Sequence, residues 1–366
     1  MHSQPSSKSQ LSCPGCGAML EFNPKRGQME CPYCGRQEAI ARNKTSLLAE
    51  HSFEAHLNEK HTQLAALSKQ AVEVQCPGCR AQFTFEPPTV AGKCPFCNTN
   101  IVAQPGMASP VVNPGGIVPF KIGQRQAREK VGEWLRQRWF APRELRRLSQ
   151  YAGLQGIYLP FWTYDCRTHS EYRGQRGDRY LRTETYTTTD DEGRTVTETR
   201  EVVDTRWTNV SGSLEQTFDD VLISAAESIN QDHLQAVEGW DLSELVPYNP
   251  SYLSGFKVQR YQIHLKNGFE QAKKKMEPEI CKAVERQIGG DEQRVRSIST
   301  TYSSITFKYI LLPVWAGAYE FKGRRYSIVV NGQSGKVCGD RPYSSLQVVL
   351  VILIAFLVLA IVVGLL

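Results

Sequence analysis

Two kinds of hydrophobic pattern divide the chain. Apolar residues recur at helical spacing in residues 124–140 and again in residues 267–288, which predicts two amphipathic helices. Gly289 and Gly290 follow the second stretch and are typical of a helix end. Residues 182–209 are instead rich in Thr and alternate along the chain. This alternation predicts a β-hairpin inserted between the two helices.

A repeated motif follows each predicted helix. Tyr158-Leu-Pro-Phe-Trp162 comes after the first helix and Leu312-Pro-Val-Trp315 comes after the second. Each motif precedes a hairpin-like run, so we interpret residues 117–343 as a duplicated α+β domain. Because proline cannot donate a hydrogen bond to a ladder, each motif is expected at a strand start or at a sheet edge.

The last residues form the most apolar segment of the chain. Residues 346–366 contain no charged side chain, and a helix of this length spans about 31 Å, close to the thickness of a bilayer core. The segment is apolar on all sides, whereas a core helix normally has one apolar stripe. The pattern therefore predicts one C-terminal transmembrane helix.

The charges beside this segment predict its orientation. Lys336 and Arg341 precede it and no residue follows it, so the positive-inside tendency places the rest of the chain in the cytoplasm. The predicted location is the cell membrane, with a single pass. The net charge of +6 suits an anionic membrane surface and does not by itself indicate nucleic acid.

Eight of the eleven cysteines form two quartets with the same spacing. The pattern C-x2-C-x14-C-x2-C occurs in residues 13–34 and again in residues 76–97. Four thiolates on two short turns suit tetrahedral Zn²⁺, and a site closed by four protein ligands is structural rather than catalytic. We therefore expect two structural Zn²⁺ ions. The predicted ligands are Cys13, Cys16, Cys31 and Cys34 in the first quartet and Cys76, Cys79, Cys94 and Cys97 in the second.

Other uses of the quartets are less favoured. A thioredoxin-like redox site has one C-x-x-C motif opening a helix in a βαβ unit, whereas here four motifs occur in matched pairs. Zinc ribbons bind either nucleic acid or protein. Neither ribbon carries a basic stripe with interleaved aromatic residues, so protein binding or a purely structural role is favoured, and nucleic acid is not an expected partner.

The patterns together predict a multidomain chain. Its expected fold class is two small zinc ribbons, a duplicated α+β domain with a β-hairpin insertion, and one C-terminal transmembrane helix. The predicted boundaries are residues 8–42 for zinc ribbon 1, 43–73 for a helical connector, 74–104 for zinc ribbon 2, 105–116 for a linker, 117–343 for the duplicated domain and 346–366 for the transmembrane anchor.

The sequence contains no recognisable ATPase, helicase or hydrolase motif. The nearest approach to a phosphate loop is Gly332-Gln-Ser-Gly335-Lys336, which has two residues between its glycines where a Walker A loop has four. Val337 also replaces the hydroxyl residue that would bind Mg²⁺. We therefore expect that the protein is not an enzyme.

The chain resembles a family of bacterial double-zinc-ribbon membrane proteins. They are labelled TFIIB-type zinc ribbon proteins, and often primosomal protein N′ (replication factor Y), superfamily II helicase. The matching motifs are the two quartets, Tyr158-Leu-Pro-Phe-Trp-Thr-Tyr-Asp165, Pro247-Tyr-Asn-Pro-Ser-Tyr-Leu-Ser-Gly-Phe256, Leu311-Leu-Pro-Val-Trp315 and Gly339-Asp-Arg-Pro-Tyr-Ser344.

The resemblance implies a zinc-stabilised, tail-anchored membrane scaffold or adaptor. Such a protein would recruit cytoplasmic protein partners, such as flotillin-like or phage-shock-type proteins, to the membrane. The alternative is a membrane-held, nucleic-acid-linked factor of the replication-restart type. Because the ATPase motifs of the primosomal helicase are missing from this sequence, its helicase activity is not implied.

Overall fold

The computed structural model describes residues 12–40, 49–58, 64–65, 72–77, 79–85, 91–94, 96, 100–102, 111–112, 114–137, 153–189, 193 and 195–340. Within these ranges the helices are α1 Phe53–Asn58, α2 Gln124–Arg136, α3 Gln231–Ala236 and α4 Leu265–Ile288, with 3-10 turns at Leu242–Glu244 and Pro250–Leu253. The strands are β1 Glu21–Asn23, β2 Gln28–Glu30, β3 Gln37–Glu38, β4 His51–Ser52, β5 Leu64–Ala65, β6 Val72–Gln75, β7 Gln82–Phe85, β8 Ala91–Lys93, β9 Asn100–Val102, β10 Val111–Val112, β11 Gly116–Ile117, β12 Gln155–Thr189, β13 Thr195–Ser224, β14 Val246–Pro247, β15 Lys257–Val258, β16 Glu292–Phe321, β17 Arg324–Asn331 and β18 Val337–Gly339.

One large sheet organises the molecule. Its three longest strands lie in the order β13, β12, β16, and both neighbours run antiparallel to β12. Strand β17 continues the sheet beside β16, and β18 pairs with β17. Two short strands add parallel pairings, β15 on β12 and β11 on β16.

The middle of this sheet is covered on both faces. In β12, Tyr158 and Trp162 belong to one apolar cluster, together with core residues of α2 and α4. Ile157 and Leu159 belong to a second cluster, which includes Leu234 of α3. Because successive strand residues point to opposite faces, the two clusters lie on opposite sides of the sheet.

The two halves of the duplicated region are crossed over each other. The indole N–H of Trp162 donates to the carbonyl of Ile263, two residues before α4, at 2.8 Å. The indole N–H of Trp315 donates to the carbonyl of Ile122, two residues before α2, also at 2.8 Å. The short parallel strands are exchanged in the same way, since β11 pairs with β16 and β15 with β12. Each tryptophan therefore anchors the helix of the other half.

The two motif prolines lie inside long strands and not at a strand start. Pro160 lies opposite Leu311 in the middle of the β12–β16 ladder, and Pro313 lies opposite Tyr158. On its other side, Pro160 falls between the pairing with β15 at Tyr158 and the pairing with β13 that begins at Phe161. A residue without an N–H is tolerated there because the neighbouring ladder is interrupted.

The predicted fold class is wrong in its proportions of helix and strand. The described residues are mostly β, and the expected α+β halves are built around strands of 35, 30 and 30 residues. The helices expected at residues 124–140 and 267–288 are present as α2 and α4. The hairpin expected at residues 182–209 is only the end of the much longer β12–β13 pair. In the connector expected to be helical, the described part holds the six residues of α1 and three short strand segments.

The prediction of a transmembrane helix is also corrected. Among the described residues, no helix is both long enough and apolar enough to cross a membrane. The apolar segment that carried the prediction, residues 346–366, lies outside them. The longest described helix, α4, has 24 residues but carries charged side chains along its exposed side. The single-pass topology and the cell-membrane location, which rested on that helix, are corrected with it.

Candidate metal centre

The first quartet lies on two turns of the same shape. Cys13 accepts a backbone hydrogen bond from the N–H of Gly17, and Cys31 accepts one from the N–H of Gly35. Both glycines have positive φ, 75° and 73°, a conformation that glycine adopts at little cost. The C-x-x-C-Gly sequence thus folds twice into a tight turn, and β1 and β2 form the hairpin that joins the two turns.

These turns bring the four sulfurs together. The Sγ of Cys13 lies 3.5 Å from that of Cys34, and the Sγ of Cys16 lies 3.4 Å from that of Cys31. All four lie within 4.8 Å of one another. A disulfide would need about 2.05 Å, whereas Zn–S bonds of about 2.3 Å in a tetrahedron separate the sulfurs by about 3.8 Å. The cluster can hold a metal ion.

Backbone amides prepare two of these sulfurs to be thiolates. Hydrogen bonding from the backbone N–H of Cys34 lowers the pKa of Cys31 to about 6. The pKa of Cys13 is lowered by the corresponding bonds from the N–H groups of Cys16 and Gly15. A hydrogen bond to the charged form stabilises it, and the thiolate is the form that binds metal. The first cysteine of each turn is therefore the more easily ionised one.

The second quartet repeats this geometry in the part that is described. Cys76 accepts a hydrogen bond from the N–H of Arg80, as Cys13 does from Gly17. The sulfurs of Cys76, Cys79 and Cys94 lie within 4.8 Å of one another, and those of Cys79 and Cys94 are 3.5 Å apart. The expected fourth ligand, Cys97, lies outside the described residues. Three of the four predicted ligands are thus brought together here, and all four in the first quartet.

Ribbon 1, the part of the chain from residue 12 to residue 40, is packed against the second 3-10 turn, Pro250–Leu253, and the residues that follow it. The ring of Phe22 lies edge-on to the ring of Tyr252, with 5.2 Å between the ring centroids, and its centroid is 6.4 Å from that of Phe256. The N–H of Phe22 donates to the carbonyl of Ser254 at 3.1 Å, and the hydroxyl of Ser254 donates to the carbonyl of Leu20. Phe256 in turn stacks on Phe120 at 4.3 Å, which connects this contact to the core.

Ribbon 2, the described residues between 72 and 102, is packed against the next part of the same segment. The side-chain amide of Gln262 donates to the carbonyl of Arg80 at 3.0 Å. Burial lowers the pKa of Lys257, an effect that the nearby Cys94 opposes. Cys76 and Cys94 are buried in the cluster that contains Ile157. Residues 252–262 therefore join both ribbons to the sheet.

The role of this joining segment was not predicted from the sequence, in which residues 247–256 contribute only to a family resemblance. A signal was present, because three aromatic side chains, Tyr252, Phe256 and Tyr261, lie within ten residues that also contain Gly255. Gly255 has a φ of 88°, and a Cβ built there would lie 3.5 Å from Glu21 of ribbon 1.

A second group of possible metal ligands has a different explanation. Asp165, Asp219 and Asp220 each place a carboxylate oxygen within 4.8 Å of the others. The ammonium group of Lys308 lies 3.0 Å from Asp220, 3.7 Å from Asp165 and 3.2 Å from Glu50. Burial works to lower the pKa of Lys308, but Asp220, Asp165 and Glu50 together outweigh it, so that the pKa is raised. This lysine supplies the positive charge that the carboxylates need.

Comparison with known proteins gives one relative over most of the chain. The chain is 25% identical over 334 residues to the uncharacterised protein YdjG of Bacillus subtilis (strain 168), which covers 91% of this chain and 89% of that protein. No family model matches the sequence. No solved structure matches it. The likeness to YdjG assigns no activity.

Proposed function

We propose that the protein is a zinc-stabilised scaffold that binds protein partners, with one structural Zn²⁺ in each cysteine quartet. The observation that carries the proposal is the docking of both ribbons on residues 252–262. A metal ion that folds a ribbon would also hold this segment, and the segment is paired to the central sheet through β15. Metal binding would then stabilise the packing of both ribbons on the sheet.

The chemistry of the first quartet supports zinc in a structural role. Its ligand set is four thiolates, which soft and borderline metals prefer over Mg²⁺ or Ca²⁺. Four protein ligands fill a tetrahedron and leave no position for water or substrate. A ribbon of this size buries too little apolar surface to fold alone, so binding of the metal would supply much of its folding free energy.

Metal analysis of the purified chain tests the first half of the proposal. Protein prepared without added metal is expected to contain two zinc ions per chain by elemental analysis. Replacing Cys31 and Cys34 by Ser should lower this to one, and the matched control Cys281→Ser, which changes a cysteine outside the quartets, should leave it at two. Fewer than one zinc per chain with reduced thiols would contradict the assignment.

Partner capture tests the second half. Cross-linking of the folded wild-type chain in its own cell extract, followed by mass spectrometry, is expected to identify protein partners that the quartet variant loses and Cys281→Ser keeps. Recovery of nucleic acid with an affinity that falls steeply with salt would instead favour a nucleic-acid-linked factor. Partners that remain after loss of both quartets would show that the ribbons do not support the binding surface.

A further inference from the structure

A long two-stranded arm extends from the sheet. Strand β16 pairs with β12 only as far as Gly177, which lies opposite Glu292. Beyond this point the pairing of β12 with β13 continues, from the pair Asp178–Arg206 to the pair Thr189–Thr195. We call residues 178–189 and 195–206 the arm. At about 3.3 Å per residue its twelve residue pairs extend about 40 Å.

The arm leaves one edge of β12 open. On the side that β16 occupies lower in the sheet, no strand of the described residues pairs with positions 178–189. The backbone N–H of Arg179 donates to a carboxylate oxygen of Asp291 at 2.7 Å. From Tyr180 onwards the open edge presents a row of backbone N–H and C=O groups, which are a template for another strand. The arm also exposes apolar side chains. Leu181 and Val203 lie opposite each other and are 65% and 66% exposed.

The sequence of this edge is complementary to itself. Its residues run Asp178-Arg-Tyr-Leu-Arg-Thr-Glu-Thr-Tyr-Thr-Thr-Thr189. If two copies pair antiparallel about a two-fold axis at Thr183, Arg182 lies opposite Glu184 of the partner subunit, and this pair occurs twice. Tyr180 then lies opposite Tyr186 of the partner subunit, also twice. Opposite charges and aromatic pairs across strands stabilise such a ladder.

The neighbouring registers that keep the two-fold axis are unfavourable. Centring the axis on Arg182 sets arginine against arginine, and centring it on Glu184 sets glutamate against glutamate. Like charges directly opposite each other are destabilising. Thr183 is also near the middle of the open edge, so residues 180–186 of each copy pair without reaching Arg179, which Asp291 holds, or the part of β12 that β16 already covers. Charge and available length select the same register.

The contacts of the arm favour the β12 edge over the outer edge of β13. On β13, Arg200 is already held by Glu184 of its own chain, with bonds of 2.9 and 3.2 Å, and Glu198 accepts a bond from the hydroxyl of Tyr186. The guanidinium group of Arg182 lies 3.6 Å from Asp204 and 3.9 Å from Glu184, longer than ordinary hydrogen bonds. It is therefore available to a carboxylate across the open edge.

We propose that two copies of this chain associate through their arms, by antiparallel pairing of β12 residues 180–186 about Thr183. The pairing adds on the order of six backbone hydrogen bonds and extends the ladder from Arg200 through Glu184 to Arg182 of the partner subunit. The symmetry is that of an isologous dimer, in which the same surface is used by both copies. The inference goes beyond the proposed scaffold role and does not depend on metal.

Two single charge reversals, studied alone and mixed, test the register. Arg182→Glu sets glutamate against glutamate in its own dimer, and Glu184→Arg sets arginine against arginine. Each variant alone is expected to raise the dimer dissociation constant at least about tenfold, measured by sedimentation velocity of the full chain. An equimolar mixture restores both opposite-charge pairs and is expected to dimerise. Glu201→Arg and Thr199→Glu, charge changes on the outer strand of the same arm opposite Thr183 and Thr185, are the matched controls.

A disulfide trap supplies a second measurement. Thr183→Cys places two thiols on the two-fold axis, so mild oxidation should give a covalent dimer that reducing agent dissolves and that mass spectrometry maps to residue 183. Thr185→Cys, on the same face, lies four residues from its equivalent and should give none. A wild-type chain that stays monomeric at all concentrations overturns the proposal. So does a dimer that only the β13 variants weaken, or one that neither reversal affects.

Discussion

The two ribbons share one cysteine spacing and differ in how they join the body. In ribbon 1, the first cysteine of each turn, Cys13 and Cys31, is buried in the cluster that contains Tyr158. In ribbon 2, Cys76 and Cys94 hold the same positions and are buried in the cluster that contains Ile157. These clusters lie on opposite faces of the sheet, so both ribbons are attached through their metal sites but to different faces. Identical motifs can therefore stabilise two separate parts of one core.

Removal of a metal ligand should have the largest effect. Structural zinc contributes on the order of 10 kcal/mol to the folding of such a unit, so Cys31→Ser and Cys94→Ser should each lose one zinc per chain. Both variants should also lower the Tm of the whole chain, because Cys31 and Cys94 are each buried in a cluster on one face of the sheet. Elemental analysis and calorimetry measure both effects. An unchanged Tm in one variant would mean that the cluster around that ribbon's site does not stabilise the rest of the chain.

The docking contact of ribbon 1 gives the next largest effect. Phe22→Ala removes a buried ring, a change that typically costs about 3–5 kcal/mol, and should release ribbon 1 while its zinc remains bound. Amide hydrogen exchange of residues 12–40 should speed up, and that of ribbon 2 should not. The control is Tyr33→Ala in the same ribbon, where the side chain is 83% exposed. Equal exchange of residues 12–40 in the two variants would show that the Phe22 contact does not hold ribbon 1 on the body.

The first turn of ribbon 2 has arginine where both turns of ribbon 1 have glycine, and this difference gives a smaller effect. Arg80 has a φ of 61° at the position that Gly17 and Gly35 occupy in ribbon 1. Arg80→Gly should stabilise ribbon 2 by about 0.5–1 kcal/mol, and Gly35→Ala should destabilise ribbon 1 by about 1 kcal/mol. A Cβ at Gly35 meets no atom within 4 Å, so only backbone strain is measured. Urea unfolding followed at each ribbon should give shifts of opposite sign.

The smallest effect concerns nucleotide chemistry. Both ribbons are proposed to be structural, and an ATP-driven activity would contradict that proposal. In the turn at Gly332, the backbone N–H groups of Gln333 and Ser334 are both bound by the side chain of Asn331. We expect no ATP hydrolysis above background, with or without single-stranded DNA. Lys336→Ala should change the free energy of unfolding by less than about 0.5 kcal/mol. A DNA-stimulated ATPase abolished by this substitution would overturn the scaffold proposal.

The cysteine spacing was the most informative part of the sequence. It predicts a site through local turn geometry alone, and in ribbon 1 the four sulfurs do converge. The two long helices were also predictable, because each buries a single stripe against the sheet, with Ala127, Val131 and Leu135 on α2. These are local properties, and the sequence near each residue is enough to specify them.

The long strands were not predictable in the same way. Residues 157–164 of β12 are buried on both faces, so the polar positions that would mark an alternating strand are missing there. The docking of the ribbons on residues 252–262 depends on contacts such as Ser254 to Leu20, which are 234 residues apart. No periodicity or local spacing encodes a contact of that range. The same holds for the crossing of the two halves.

The crossed tryptophan contacts constrain when the protein can fold during its synthesis. The carbonyl of Ile122 receives its bond from Trp315, 193 residues later in the chain. At about 5–20 residues per second, a ribosome needs about 10–40 s to add them. Throughout that interval the nascent first half carries α2 without β16, the strand beside which it will be anchored, and its apolar stripe stays open to water or to chaperones. The core of the first half can therefore be completed only after the second half has been synthesised.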